Sequence, residues 1–383
     1  MNTSVLKIPI AAVAILVGSI LTPAQAQTTA TTDPVGFVTQ TLAGSADSYV
    51  YIPFKRNPDY AGATSGAVSG AGNNVLTVAG TTGWTNSQFA PNATTLQPKY
   101  YVLVRSGTKA GMFYTITDNS ATTITLDLSG DSISAPVVTG TTFQICAYDT
   151  LNTIFAAGAG INGRANFSQA GRQTEIFIPD GNTAGTNLSS SATYYYYTGV
   201  SSGGAGWRRV GTPIATLVND QVLYPDSYFT VRHNVATSTT LTTMGTVQTG
   251  QIQFPLSTIT TGLDQDIPVA VPVPATLTLT QSNLFESGAF AGSSSFSSAL
   301  RQDVLFVWDN AASTALNKAP DATYYYYTGA SSGGPGWRLV GGTISTIVNT
   351  NTIISPGKSF VIRKKSAGAP STAFWTLTPA YAL

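Results

Sequence analysis

The segment Ala192 to Gly199, Ala-Thr-Tyr-Tyr-Tyr-Tyr-Thr-Gly, recurs unchanged at Ala322 to Gly329, 130 residues further along the chain. The match runs on through Ser-Ser-Gly-Gly to Gly206-Trp207-Arg208 and Gly336-Trp337-Arg338. Upstream, Arg172, Gln173, Phe177 and Asp180 answer Arg301, Gln302, Phe306 and Asp309; downstream, Phe229, Val231 and Arg232 answer Phe360, Ile362 and Arg363. A unit of about one hundred residues has therefore been duplicated, over 150–247 and 281–383. Solenoid repeats bury a continuous core only when three or more are stacked, so two copies predict paired domains. Between them, 248–280 reads as a connector, in which Pro268, Pro272 and Pro274 suit a linker or an edge strand.

Segment 27–149 differs in content. Short apolar runs at 74–78, 100–104, 113–117 and 122–128 alternate with Gly, Asn, Asp and Ser turns, the spacing of a β-sandwich or small barrel. Across the chain Thr, Val, Ile and Tyr abound while Glu and Lys are scarce, and Gly or Pro breaks most longer windows. The predicted fold class is all-β, with short antiparallel strands. Ile214, Leu217 and Val218, mirrored by Ile344, Ile347 and Val348, are the one repeated set at helical spacing and predict a short helical turn.

Charge excludes several functions. The 383 residues carry 18 Lys plus Arg against 17 Asp plus Glu, and charged residues make up 9%, far below the roughly 25% usual in soluble domains. Nucleic-acid binding requires a clustered basic excess, and none is present. Lys7, the apolar run from Ile8 to Leu21 and Ala24-Gln25-Ala26 form the pattern of a secretory signal peptide cleaved after Ala26. The run is short of the roughly 20 residues that span a bilayer, and no later segment is apolar enough to do so. The expected address is exported: cell surface, medium or periplasm. Cys146 is the only cysteine, so no intramolecular disulfide forms, and its apolar neighbours Phe143, Ile145 and Tyr148 predict a buried thiol.

The tyrosine tracts are the candidate functional elements. On a strand, Tyr194 and Tyr196 point to one face and Tyr195 and Tyr197 to the other. With one face in the core, the other pair and Trp207, arriving on the return strand beside Arg208, would stand as an aromatic platform. Tyr324, Tyr325, Tyr326, Tyr327, Trp337 and Arg338 would repeat it. Such rings serve a sugar-binding surface or a protein interface; the competing reading is cross-strand packing alone.

Catalytic motifs fail on context. Gly199 to Gly203 and Gly329 to Gly333 match the G-x-S-x-G nucleophile elbow, but more glycine and a tryptophan follow where a helix is required. The only histidine, His233, has Lys364 as its counterpart. Gly158 to Gly163 matches G-x-G-x-x-G, yet the following segment is too short and polar for the phosphate-binding helix. One His and one Cys do not make a zinc site. No cofactor is predicted, although Asp180-Gly181-Asn182 leaves a loop calcium open. Glu175 and Glu286, the only glutamates, occupy non-equivalent positions and make no acid and base pair.

Asp33-Pro34-Val35-Gly36-Phe37, Tyr100 to Gly107, Tyr114 to Thr117, Thr150 to Phe155 and the tyrosine tract before Gly-Trp-Arg together resemble a family of secreted bacterial proteins of unknown function that occur as several paralogues per genome. The resemblance implies secretion and a β-rich fold and carries no catalytic residue. Three functions follow from the sequence: a non-catalytic, exported structural or assembly protein working by self-association or with other envelope proteins; as an alternative, a polysaccharide-binding protein using the paired Tyr and Trp platforms; and, as a second alternative, a secreted hydrolase.

Overall fold

A computed structural model describes residues 33–133 and 137–381. The expected signal segment lies outside the described residues. The chain is all-β, about 36% strand and 4% helix, and its strand ladders are antiparallel. Of the apolar runs noted in the sequence, each forms a strand: Val75–Thr77, Tyr100–Val104, Phe113–Asn119 and Thr123–Asp127. The helical turn expected at Ile214 and Ile344 does not form. Both segments are single turns, closed by Thr216 N–H to Pro213 O and Thr346 N–H to Thr343 O, and the carbonyls of Ile214 and Ile344 accept from arginine side chains.

Two five-stranded sheets have the same order. In the first it is Gly206–Arg209, Ala192–Tyr197, Thr174–Ile178, Phe229–His233 and Ala46–Val50; in the second it is Gly336–Leu339, Ala322–Tyr327, Val304–Asp309, Lys358–Lys364 and Gln265–Val269. The last strand of each comes from upstream of the recurring sequence. Further pairs also correspond: Val35–Leu42 with Thr239–Thr246 matches Ile252–Ser257 with Thr372–Leu377, and Asp149–Thr150 with Val222–Leu223 matches Leu277–Thr278 with Thr352–Ile354. Pairing thus extends the repeat upstream in both copies. Only the first copy is interrupted, between Ala46–Val50 and Asp149–Thr150, by a six-stranded sheet running from Tyr60–Ala63 to Thr142–Ala147.

Each repeat has its own core. Ile176, Val231, Phe229 and Trp207 pack in the first, and Leu305, Ile362, Phe360 and Trp337 at the matching positions of the second. Burying such side chains contributes about 1.5–3 kcal/mol each before the entropy of ordering is subtracted. The inserted sheet packs Val102, Ile116, Ile124 and Ile145 on one face, while Tyr101, Leu103, Cys146 and Tyr148 on the other meet Val222 of the first repeat. It also docks on the second repeat, where the Lys109 ammonium lies 4.1 Å from the centre of the Phe374 ring.

Pro268 lies in an edge strand, the position in a sheet that tolerates a missing N–H. At the equivalent place in the first repeat, Tyr49 does have an N–H, and it donates to Asn310 Oδ1 at 2.8 Å. The Asn310 amide returns a hydrogen bond to Tyr49 O at 2.7 Å. Gly181 occupies the matching position opposite Pro268, so each edge is closed by a loop of the other repeat in the form its backbone requires.

Candidate functional site

The expectation of exposed aromatic platforms is corrected by the structure, which closes both faces of the tyrosine strands. Tyr194 faces the core with Trp207, and Tyr324 with Trp337; the two tryptophans are 0% exposed. The opposite face is covered by residues from earlier in each repeat. The Arg172 guanidinium lies over Tyr195 at 4.8 Å, and Phe167 stacks on Tyr197 with centroids 4.0 Å apart. Arg301 covers Tyr325 at 4.7 Å and Phe296 stacks on Tyr327 at 4.0 Å. Only Tyr196 and Tyr326 remain half-buried, and Tyr326 lies flat against Phe285. The covering arginines had a sequence signal, since Arg172 and Arg301 recur with the tract, but alternation within a strand does not reveal what will lie over it.

Arg208 and Arg338 are loop clips. Arg208 donates to the carbonyls of Ile214, Trp207, Ser202 and Gly204 at 2.6–3.2 Å, and Arg338 to those of Ile344, Trp337, Ser332 and Gly334 at 2.6–3.3 Å. Burial lowers the Arg208 pKa, and the surrounding carbonyl oxygens accept its donors in place of a carboxylate. The loop closes tightly around this head group. Gly206 has φ +150°, and a Cβ there would sit 2.6 Å from Leu217 Cδ2, which accounts for the glycine before each Trp-Arg.

The motifs set aside in the sequence have structural uses. Ser201 and Ser331, at the centre of the G-x-S-x-G matches, hydrogen-bond to Tyr197 and Tyr327 hydroxyls at 2.6 Å. The glycine run from Gly158 lets the chain cross close to the tyrosine strand, since a Cβ on Gly158 would lie 2.8 Å from Tyr196 Cδ1. His233 is fully buried, with Nδ1 against Thr174 Oγ1 and Nε2 against Thr239 Oγ1, both at 2.8 Å. Asp180 Oδ1 accepts from the Asn182 and Thr183 amides at 2.9 Å, and hydrogen bonds from Thr183 lead in lowering its pKa. Among the described residues no group of three or more His, Cys, Asp and Glu is placed to hold a metal ion.

Two surface features remain. One is the outward face of the ribbon Val35–Leu42 and Thr239–Thr246. Phe37 and Met244, directly opposed across the ladder, are 73% and 75% exposed, and Val35 beside them is 74% exposed. The other is a cleft of about 500 Å³ where the first sheet meets the Asn317–Lys318 turn of the second repeat. Asp47 and Arg232 pair on its wall. The Phe177 ring lies 4.8 Å from the Arg232 guanidinium, and the Tyr49 ring stacks on Trp308 at 5.3 Å. Comparison of the chain with protein families, with curated proteins and with solved structures gives no match.

Proposed function

We propose that the protein is an exported, non-catalytic structural component of the cell surface or extracellular space that associates with further copies of itself through the ribbon carrying Phe37 and Met244. The exposed Val35, Phe37 and Met244 face carries this reading, because neighbouring large apolar side chains left open to water mark an interaction surface. The ribbon is two-stranded, its outer edge bridged to Lys55 only at Thr246 among the described residues, and a strand edge of this kind can be joined by a further strand. The matching ribbon of the second repeat is already an interface: its Phe374 is covered by Lys109 of the inserted sheet. In the first repeat the outward face continues as Thr39 and Thr242, joined by a 3.1 Å hydrogen bond, and no inserted sheet of the described residues covers it. The described helices include none long and apolar enough to cross a membrane.

The test is sedimentation of the mature chain, 27–383, over a range of concentrations, alongside the Phe37→Ser/Met244→Ser variant. Concentration-dependent oligomers that disappear in the variant are expected. A wild-type protein that stays monomeric throughout refutes self-association, and cell fractionation checks the exported address independently.

A further inference from the structure

The two repeats meet at a pair of seams with one frame and two linings, and we propose that the cleft at the first seam binds a neutral saccharide. The frame is reciprocal. Asp47 accepts from Arg232 and from the Asn317 backbone N–H at one seam, and Asp266 accepts from Arg363 and from the Asn187 backbone N–H at the other. Strand register therefore equates positions across the seams without reference to the sequence. Phe177 answers Phe306 and Thr193 answers Thr323.

Around this constant frame the lining changes in one direction. Tyr49, Ser189, Ser190, Thr230 and Lys318 border the first cleft. Their counterparts at the second seam are Pro268, Ala319, Pro320, Val361 and Leu188. Every change exchanges a polar side chain for an apolar one. The fold accepts Val361 where Thr230 stands and Ala319 where Ser189 stands, so the hydroxyls are not demanded by the scaffold. Nor do they serve it: the side chains of Ser189, Ser190, Thr193 and Thr230 have no protein hydrogen-bond partner among the described residues. Polar groups gathered without partners on a cleft wall are available to a ligand.

The chemistry selects a neutral, hydroxyl-rich ligand. Arg232 is held by Asp47 at 2.6 and 2.7 Å. Lys318 donates to the carbonyls of Asp309 and Ser313 at 2.7 and 3.1 Å and lies 3.4 Å from Asp321. Both cations are thus engaged by protein oxygens, which leaves little to attract an anion. Four free hydroxyls each donate and accept, matching a partner that does both. The half-buried Phe177 adds apolar ring surface of the kind on which sugars pack, on the side away from the Arg232 guanidinium. The volume of about 500 Å³ falls within the roughly 300–1,000 Å³ of small-molecule sites. This inference does not rest on self-association, since a monomer presents the same cleft.

The experiment is saturation-transfer NMR on the mature chain with cellotriose, maltotriose and chitotriose as neutral probes and trigalacturonic acid as the charged one. The variants are Thr230→Val alone and Ser189→Ala/Ser190→Ala/Thr230→Val. Binding of a neutral trisaccharide, weakened about tenfold or more in the triple variant at an unchanged thermal midpoint, is expected. Absence of binding by all neutral probes, binding indifferent to the variants, or preference for the acidic probe overturns the proposal. The single variant serves if the triple variant does not fold.

Discussion

Arg232 grips Asp47 with two parallel hydrogen bonds, Nε to Oδ1 at 2.6 Å and Nη2 to Oδ2 at 2.7 Å, across two strands separated by some 180 residues of chain. Arg363 and Asp266 repeat the fork at 2.7 and 2.8 Å. Because the turn at Asn317 from one repeat and that at Asn187 from the other complete the two forks, the repeats hold each other as an internal dimer. Both asparagines have positive φ, +52° and +54°, a conformation that asparagine accepts more readily than most residues.

Asp47→Asn is expected to destabilise the protein by about 2–3 kcal/mol, below the roughly 3–5 kcal/mol of a fully buried pair because the Arg232 side chain stays partly open. Asp266→Asn should cost less, since the Asp266 carboxylate is more exposed than that of Asp47. Urea unfolding of the two variants tests the order; equal or reversed effects would show that the forks do not carry the seam.

Truncating Trp207 or Trp337 to alanine should cost about 3–5 kcal/mol each, the usual range for a large core aromatic. Replacement by phenylalanine should cost much less, because neither indole nitrogen has a hydrogen-bond acceptor among the described residues. Thermal unfolding measures both. If Trp207→Ala left stability untouched and abolished glycan retention, the aromatic-platform reading would return.

The His233 pKa is lowered by burial, so the folded protein prefers the neutral ring. Below the unfolded value of about 6.5, the unfolded chain takes up a proton that the folded one resists. The contribution of His233 to stability is therefore complete above about pH 6.5 and declines as the pH falls toward the lower folded value. His233→Gln, which retains donors and acceptors for Thr174 and Thr239, should remove that part of the decline in urea titrations at pH 7.5 and 5.5. Identical slopes for variant and wild type would refute it.

Copy two solves the same position differently. Lys364 stands where His233 does, and Asp303, fully buried, stands where Thr174 does; the two form an ion pair, and Lys364 also donates to Ala289 O at 2.6 Å. A neutral hydrogen-bonded pair and an ion pair fill equivalent space, and the sequence alignment of the repeats pairs both residues without indicating that they touch.

The β class, the duplication and several strands nearly to the residue are legible in the amino-acid sequence, because alternation, β-branched residues and glycine turns act over a few positions. Tyr100–Val104 was legible as a strand from its own five residues. Local pattern also placed Tyr194 and Tyr195 on opposite faces. That both faces are covered is a tertiary effect, since Arg172 and Phe167 arrive from other segments. Likewise, nothing near Asp47 in the sequence indicates that Ala46–Val50 joins a sheet with Phe229–His233. That pairing is fixed by burial and by the Arg232 fork, long-range terms with no local signature. The cleft has the same origin: Thr230 and Ser190 read as ordinary strand and loop residues until the seam places them on one wall.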